Sequence, residues 1–307
     1  MNLNLLKKIN DKYTSEIWNI GFINNDLNKV IDNNELDIKW LEHTYKDRWF
    51  ADPFILSADS DYITLLAEDF YIPANKGRIS KLIIDRNNFS LISCDVILEL
   101  NSHLSFPAIF RIENDIFIYP ENSTENCLTI YKYYEDNNKL EKYSVLINEP
   151  LTDAIITKIS NKYYILSSKK PLQNKNILNI YCSDQWDGPY SFDHCFIFED
   201  NCARNGGDLF CYNNMLIRPA QDCNNAYGKG IVLQEVLFDN NYFKFSEIKR
   251  IYPGNHKWNL GLHTFNVYNN FIATDGKKYY NSILGNIIIK LKKLSLIKSI
   301  YKMIISK

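Results

Sequence analysis

One pattern, met five times in order, constrains this chain more than any other feature of its sequence. Each copy is a short apolar strand, a polar turn, a second apolar or aromatic strand and a closing polar residue. The first copy is Asp52–Leu56 and Tyr62–Glu68, the second Phe106–Phe110 and Ile116–Glu121, and the third Asp153–Thr157 and Tyr163–Ser168. The fourth is Gly207–Cys211 and Met215–Arg218, and the fifth Thr264–Val267 and Phe271–Asp275. A further strand follows each of the first four hairpins, at Ile79–Ile84, Leu128–Tyr134, Ile177–Tyr181 and Gly230–Leu237. The spacing of about fifty residues leaves room for four strands per unit, the signature of a β-propeller blade. Asparagine pairs such as Asn137-Asn138 and Asn240-Asn241 mark hairpin tips, because Asn tolerates positive φ. The expected fold class is therefore all-β: a five-bladed β-propeller over residues 1–284. A segment at Glu16–Ile23 is expected to complete the last blade.

A propeller brings the starts of its innermost strands together at one mouth of a central channel. Asp52, Asp153, Asp208 and His263 stand at or near such starts. Glu68, Glu121, Lys169, Arg218, Gln221 and Asp222 stand at or just beyond the ends of the hairpins, and His103 and Arg204 immediately precede two of them. Singly, each has an ordinary structural explanation. Together they put a polar group at a corresponding place in every copy, where a purely structural ring would favour apolar packing. Asp52 and Asp153 are the candidate catalytic carboxylates, as base or as hydroxyl-orienting groups. Arg204, Arg218, Lys169, His103 and His263 are candidate phosphate ligands. Glu68, Glu121, Asp208, Gln221 and Asp222 complete the expected substrate-binding set. No glycine-rich phosphate loop occurs and no two histidines have ligand spacing, so neither a cofactor nor a metal site is expected.

The formal net charge of −1 gives no basic field, and nucleic acid is not an expected partner. The seven cysteines include no C-x-x-C pair and are expected to be reduced thiols of a cytoplasmic protein. The N-terminal stretch lacks the apolar core of a secretory signal, and no apolar run is long enough to span a bilayer. Residues 285–307 differ from the rest. Lys290, Lys292, Lys293, Lys298, Lys302 and Lys307 fall there with no acidic residue among them. Leu291, Leu294, Ile297, Tyr301 and Ile304 form an apolar face at helical spacing. This segment reads as a basic amphipathic helix for an anionic membrane surface. The expected location is peripheral to the inner face of the membrane.

Several strings carry a family resemblance: RWFADPF at Arg48–Phe54, Ser105–Pro107 with Tyr119–Glu121, SDQWDGP at Ser183–Pro189, Ala203-Arg204, and RPAQDC at Arg218–Cys223 followed by Tyr227-Gly228. They resemble the N-terminal domain of glucosamine inositolphosphorylceramide transferase and its stand-alone bacterial relatives, and the resemblance spans residues 40 to 280. In architecture the chain is similar to five-bladed propeller glycosidases. That second resemblance implies a catalytic Asp before Pro, matched by Asp52, a supporting Asp, matched by Asp153, and an acid Glu that no residue clearly matches. The expectation is a glycosyltransferase of bacterial surface polysaccharide or glycolipid synthesis. It would take a phosphate-activated sugar donor and a glycan or lipid-linked acceptor, with Arg204, Arg218 and Lys169 as the donor-phosphate clamp. The alternatives are a glycoside hydrolase and a non-catalytic glycan-binding propeller.

Overall fold

The computed structural model describes residues 13–23, 27–32, 36–254, 257–269 and 271–292. Twenty strands form five four-stranded antiparallel sheets. Near the N-terminus, β1 (Glu16–Ile23) precedes a six-residue helix α1 (Leu27–Asp32) and β2 (Ile38–Trp40). Four complete blades follow. The first is β3 (Arg48–Ala58), β4 (Tyr62–Tyr71), β5 (Lys76–Asp85) and β6 (Leu91–Leu98). The second is β7 (Ser105–Ile112), β8 (Asp115–Glu121), β9 (Leu128–Tyr134) and β10 (Lys139–Ile147). The third is β11 (Leu151–Ile159), β12 (Lys162–Lys169), β13 (Ile177–Ser183) and β14 (Ser191–Ile197). The fourth is β15 (Phe210–Tyr212), β16 (Met215–Asp222), β17 (Gly230–Asp239) and β18 (Tyr242–Ile251).

The fifth blade closes the ring. Its inner hairpin, β19 (Phe265–Tyr268) and β20 (Phe271–Tyr279), comes from the C-terminal part of the chain. Its third and fourth strands are β1 and β2, in the order β19-β20-β1-β2. The register runs from Glu16↔Tyr279 to Ile23↔Ile272, and it buries Trp18, Ile20 and Phe22. Apolar clusters fill the seams between neighbouring blades. Leu66 and Leu104, for example, pack with Phe106, Ile118 and Ile155.

The hairpin tips follow from their sequence. Asn213, Asn214, Asn240 and Asn241 all hold φ between 47° and 66°, the left-handed pair of a two-residue turn. All seven cysteines are free. A helix covers 282–292, opening three residues before the expected boundary, because the Asn281 side chain accepts from the Leu284 backbone N–H and caps it. Residues 293–307 of the expected basic segment lie outside the described residues.

One irregularity, repeated in three blades, positions the site. The innermost strands carry a bulge between Ala51 and Phe54, between Ser105 and Ala108, and between Thr152 and Ile155. At each bulge a residue takes positive φ: Asp52 at 51°, Phe106 at 46° and Asp153 at 48°. A bulge of this kind turns a backbone N–H out of its ladder. A neighbouring carboxylate accepts each of the three. Asp52 N–H donates to Asp275 at 3.1 Å, Phe106 N–H to Asp52 at 3.0 Å, and Asp153 N–H to Glu121 at 3.3 Å. Buried acids are thus required around the axis to satisfy strained backbone, and the cavity inherits them.

Candidate active site

The bulges surround a cavity of about 340 Å³ at one mouth of the channel. Its polar lining includes Asp52, Glu68, His103, Glu121, Lys170, Arg204 and His263, and its aromatic walls are Trp18, Trp49, Phe70 and Tyr227. Trp49 and Phe70 stack at 4.5 Å with nearly parallel rings on neighbouring strands of the first blade. Flat rings beside hydrogen-bonding groups suit a polyol that has one apolar face and many hydroxyls.

On one side, a line of contacts runs Asp275, His263, Asp52. His263 Nδ1 lies 2.6 Å from Asp275, and Nε2 lies 3.7 Å from Asp52 Oδ1. Asp275 also accepts from the backbone N–H groups of His263 and Thr264 and from the Thr264 hydroxyl. Burial works against a charged imidazole at position 263, but Asp275 and then Asp52 outweigh it, so the His263 pKa is raised. Burial is also the largest influence on Asp275, yet His263 and these donors hold its pKa below the usual carboxylate range. Trp18 stacks on the His263 ring at 3.9 Å and fixes its plane. The three side chains offer ligand atoms within 4.8 Å of one another, so this is where the described residues could hold a cation.

Asp52 itself is buried, and that burial raises its pKa well above the ordinary value, with His263 opposing. On the neighbouring strand of the same blade, burial raises Glu68 in the same way, and nearby Glu121 adds to it. Glu121 rises to about 7, through burial first and then the charge of Asp153. Its Oε1 accepts from the Ser123 hydroxyl at 2.7 Å. Three carboxyl groups facing one cavity, each more basic than in water, form a set suited to proton transfer near neutral pH.

The histidine at 103 depends on a glycine. A Cβ at Gly77 would lie 2.3 Å from the Leu104 carbonyl and 2.7 Å from Glu68 Oε1. Without it, the Gly77 N–H donates to His103 Nδ1 at 2.9 Å. That bond leaves the ring proton on Nε2, 3.4 Å from Glu68. Burial, then Lys170, lowers the His103 pKa and keeps the ring a neutral donor.

Arg204 reaches the cavity from the fourth blade, over the Tyr227 ring. Its Nε and a terminal nitrogen donate to Asp153 at 2.6 and 3.3 Å, and its other terminal nitrogen to Asn174 at 2.9 Å. Glu121 lies 3.6 Å from it. Asp153 therefore stands behind Arg204 and is not part of the cavity wall. Of the two expected catalytic carboxylates only Asp52 lines the cavity: Asp153 spends both oxygens on Arg204 and on the Gln221 side chain, which donates at 2.7 Å.

Five more expected ligands sit elsewhere, Gln221 among them on the Asp153 carboxylate. Arg218 is fully buried within the fourth blade, where it donates to Asn205, Gln234 and the Cys202 and Ala203 carbonyls. Burial lowers its pKa to about 10. Lys169 pairs with Glu149 at 2.6 Å outside the cavity, because side chains alternate along a strand. The next residue, Lys170, lines the cavity instead. Asp222 accepts from Tyr252 and Arg250 on the fourth blade. Asp208 caps the Leu209 N–H, away from the cavity mouth, where burial raises it to about 7. The RPAQDC string is thus largely a brace. Arg218 holds Asn205, Asn205 donates to the Asp153 carbonyl at 2.6 Å, and Gln221 holds the Asp153 carboxylate. Sequence reasoning missed Trp18, Trp49, Phe70, Lys170, Asn174, Tyr227 and Asp275 as site residues. Of these, Asp275 ends the fifth repeat, and Trp49 and Tyr227 lie in strings that carry the family resemblance.

Residues 36–267 match the family model described as glucosamine inositolphosphorylceramide transferase 1, N-terminal. Glucosamine inositolphosphorylceramide transferase 1 of Oryza sativa subsp. japonica is 27% identical over 202 residues, which are 64% of this chain and 27% of the relative. The Arabidopsis thaliana protein of that name is 29% identical over 180 residues, 54% of this chain and 23% of the relative. The chain thus spans about a quarter of the length of these curated relatives. Among solved structures, the exo-beta-1,3-galactanase of Phanerochaete chrysosporium superposes with a TM-score of 0.54 at 9% identity, over 69% of this chain and 54% of that one. A thermostable family-43 glycoside hydrolase superposes at 0.51 and 13% identity, over 73% and 85%. These likenesses show the shared fold.

Proposed function

We propose a glycosyltransferase function from a premise the comparisons establish: the chain belongs to the glucosamine inositolphosphorylceramide transferase 1, N-terminal family. The observation that carries the proposal is the cavity, which buried Asp52, Glu68 and Glu121 share with the Arg204 guanidinium and aromatic walls. In the proposed reaction a sugar ring lies against the aromatic residues. Burial makes Asp52 a stronger base, and it takes the proton of an acceptor hydroxyl as that oxygen bonds to the anomeric carbon. The bond from that carbon to the donor phosphate oxygen breaks, and its electron pair leaves with the phosphate. Glu121, with a pKa of about 7, exchanges a proton with the sugar hydroxyls or the departing group. Arg204 supplies fixed positive charge, and Asp153 with Gln221 acts by positioning it.

The proposal includes a phosphate-activated donor, a glycan or lipid-linked acceptor, and work at the inner face of a bacterial membrane. An apolar row supports membrane contact. Ile283, Ile287 and Leu291 are spaced four apart on the helix at 282–292, and all three are exposed. No helix among the described residues is long and apolar enough to cross a membrane.

A second reading, hydrolysis of a glycan, is favoured by one specific observation. Glu121 shares the cavity with Asp52 and carries a pKa suited to a general acid. Mass spectrometry of products separates the two. Incubation with sugar donors and an acceptor should lengthen the acceptor by one sugar residue. Release of free sugar from oligosaccharides, with no transfer, would decide for the hydrolase.

A further inference from the structure

The cavity does not hold the cationic clamp that a phosphate-activated donor needs. Arg204 is engaged by Asp153, and Arg218 and Lys169 lie elsewhere. The cations gather next door. A groove of about 740 Å³ runs along the closing seam of the ring, between the fifth and first blades. It shares Trp18 and Trp49 with the cavity as wall residues, so the two are neighbours. Its charge is more one-sided than that of the cavity, where Lys170, Arg204 and His263 stand among Asp52, Glu68 and Glu121. Lys39, Lys46, Arg48, Lys257 and Lys278 line it against a single acid, Glu42.

Two of these cations are engaged: Lys39 with Asp37, and Arg48 with Asp47 and Asp69. Lys46, Lys257 and Lys278 have no carboxylate partner among the described residues. Lys278 is half-buried, with its ammonium 4.3 Å above the Trp258 ring. Burial, and after it the charge of Lys257, depresses its pKa, the mark of positive charge held together without a counterion. Trp40 and Trp258 stand 5.9 Å apart on the same wall. Flat apolar rings beside uncompensated ammonium groups match an anion attached to an apolar or aromatic body. Cavity and groove both fall within the ~300–1,000 Å³ of small-molecule sites.

We infer that this groove binds the diphosphate part of an organic diphosphate, with Lys257 and Lys278 on the phosphates and Trp40 and Trp258 against the attached organic group. The inference rests on the transferase reading, in which the sugar occupies the acidic cavity and the leaving group the basic groove. The body carried by the diphosphate is a nucleoside or an isoprenoid lipid, and the test distinguishes them.

Calorimetric titration of the full chain with pyrophosphate, UDP and farnesyl diphosphate reads the groove directly. At least one should bind, and Lys257→Ala with Lys278→Ala should weaken it tenfold or more. Asp52→Asn should leave that affinity within about twofold. Because both lysines sit at the surface of the groove, circular dichroism and an unshifted melting temperature verify the folded variant, and Lys46→Glu supplies an independent one. Binding of UDP alone assigns a nucleoside, and binding of farnesyl diphosphate alone a lipid. If none of the three binds, or if binding ignores all three lysines, the inference is overturned. Lysine-dependent binding without any glycosyl transfer would retain the groove and reject the transferase. Transfer whose donor affinity is unchanged in the lysine variants would do the reverse.

Discussion

Glu121 meets competing demands: it must accept from the Asp153 backbone N–H, face Arg204, and remain buried among other acids. Its pKa of about 7 in the folded protein lies above the ordinary value of 4.5. The folded state therefore holds that proton more tightly than the unfolded chain does. Its contribution to stability is fully present below about pH 4.5 and is lost as pH rises through 7. Glu121→Gln keeps the neutral form at every pH. In thermal melts, the difference in melting temperature should move in favour of the variant between about pH 5 and pH 8. A difference that stays constant across this range would show that Glu121 is ionised throughout. At Gly77, alanine must push His103 or Glu68 aside. Gly77→Ala should therefore weaken sugar binding at least tenfold, at a stability cost of about 1–3 kcal/mol, as calorimetry and denaturant melts would show. Arg218→Ala should fail differently. It leaves Asn205, Gln234 and two carbonyls without their donor inside a void, so a loss of about 3 kcal/mol or more is expected in urea unfolding.

At the scale of elements, the strands and their grouping were legible because hairpin periodicity and Asn turns are local signals. The closure was legible too, since the fifth repeat is followed by no further strand while Glu16–Ile23 has no partner nearby in sequence. What sequence did not show is which way side chains point once a bulge intervenes. Asp52 and Asp153 occupy matching bulges with nearly equal φ, yet one lines the cavity and the other stands behind Arg204. The adjacent pair Lys169 and Lys170 shows the same limit, because one register step decides which lysine faces the axis. The aromatic walls come from four separated segments; Trp49 and Tyr227 lie in strings that carry the family resemblance, but no local signal brings Trp18 and Phe70 to them. Closure makes its own prediction. Deleting residues 1–23 removes β1, opens the edge of β20 and exposes the partners of Trp18, Ile20 and Phe22. The shortened chain should lose its cooperative unfolding transition and aggregate. A soluble product with an unchanged melting temperature would mean that the ring does not depend on this strand.

The whole molecule offers the proposed ligand two neighbouring sites: a cavity on the axis with buried acids and aromatic walls, and a basic groove on the closing seam. It adds a helix at 282–292 with an exposed apolar row, followed in sequence by lysines at 293, 298, 302 and 307. Each lysine near an anionic surface contributes about 1 kcal/mol. Removal of residues 285–307 should therefore abolish co-sedimentation with anionic vesicles at low salt while leaving the melting temperature nearly unchanged. Retained vesicle binding would assign the membrane contact to another surface. The central claim, that the axial cavity is the sugar site, is tested most directly by thermal shift against nucleotide sugars, phosphosugars and free oligosaccharides. At a hundredfold excess over Kd, a ligand specific for the native state adds about 2.7 kcal/mol, or roughly 5–10 °C in a domain of this size. At least one sugar-bearing ligand should shift the wild-type protein by more than its sugar-free counterpart does, and this excess should vanish in Asp52→Asn and in Glu121→Gln. An excess that survives both substitutions, or no shift with any sugar-bearing ligand, would contradict the assignment.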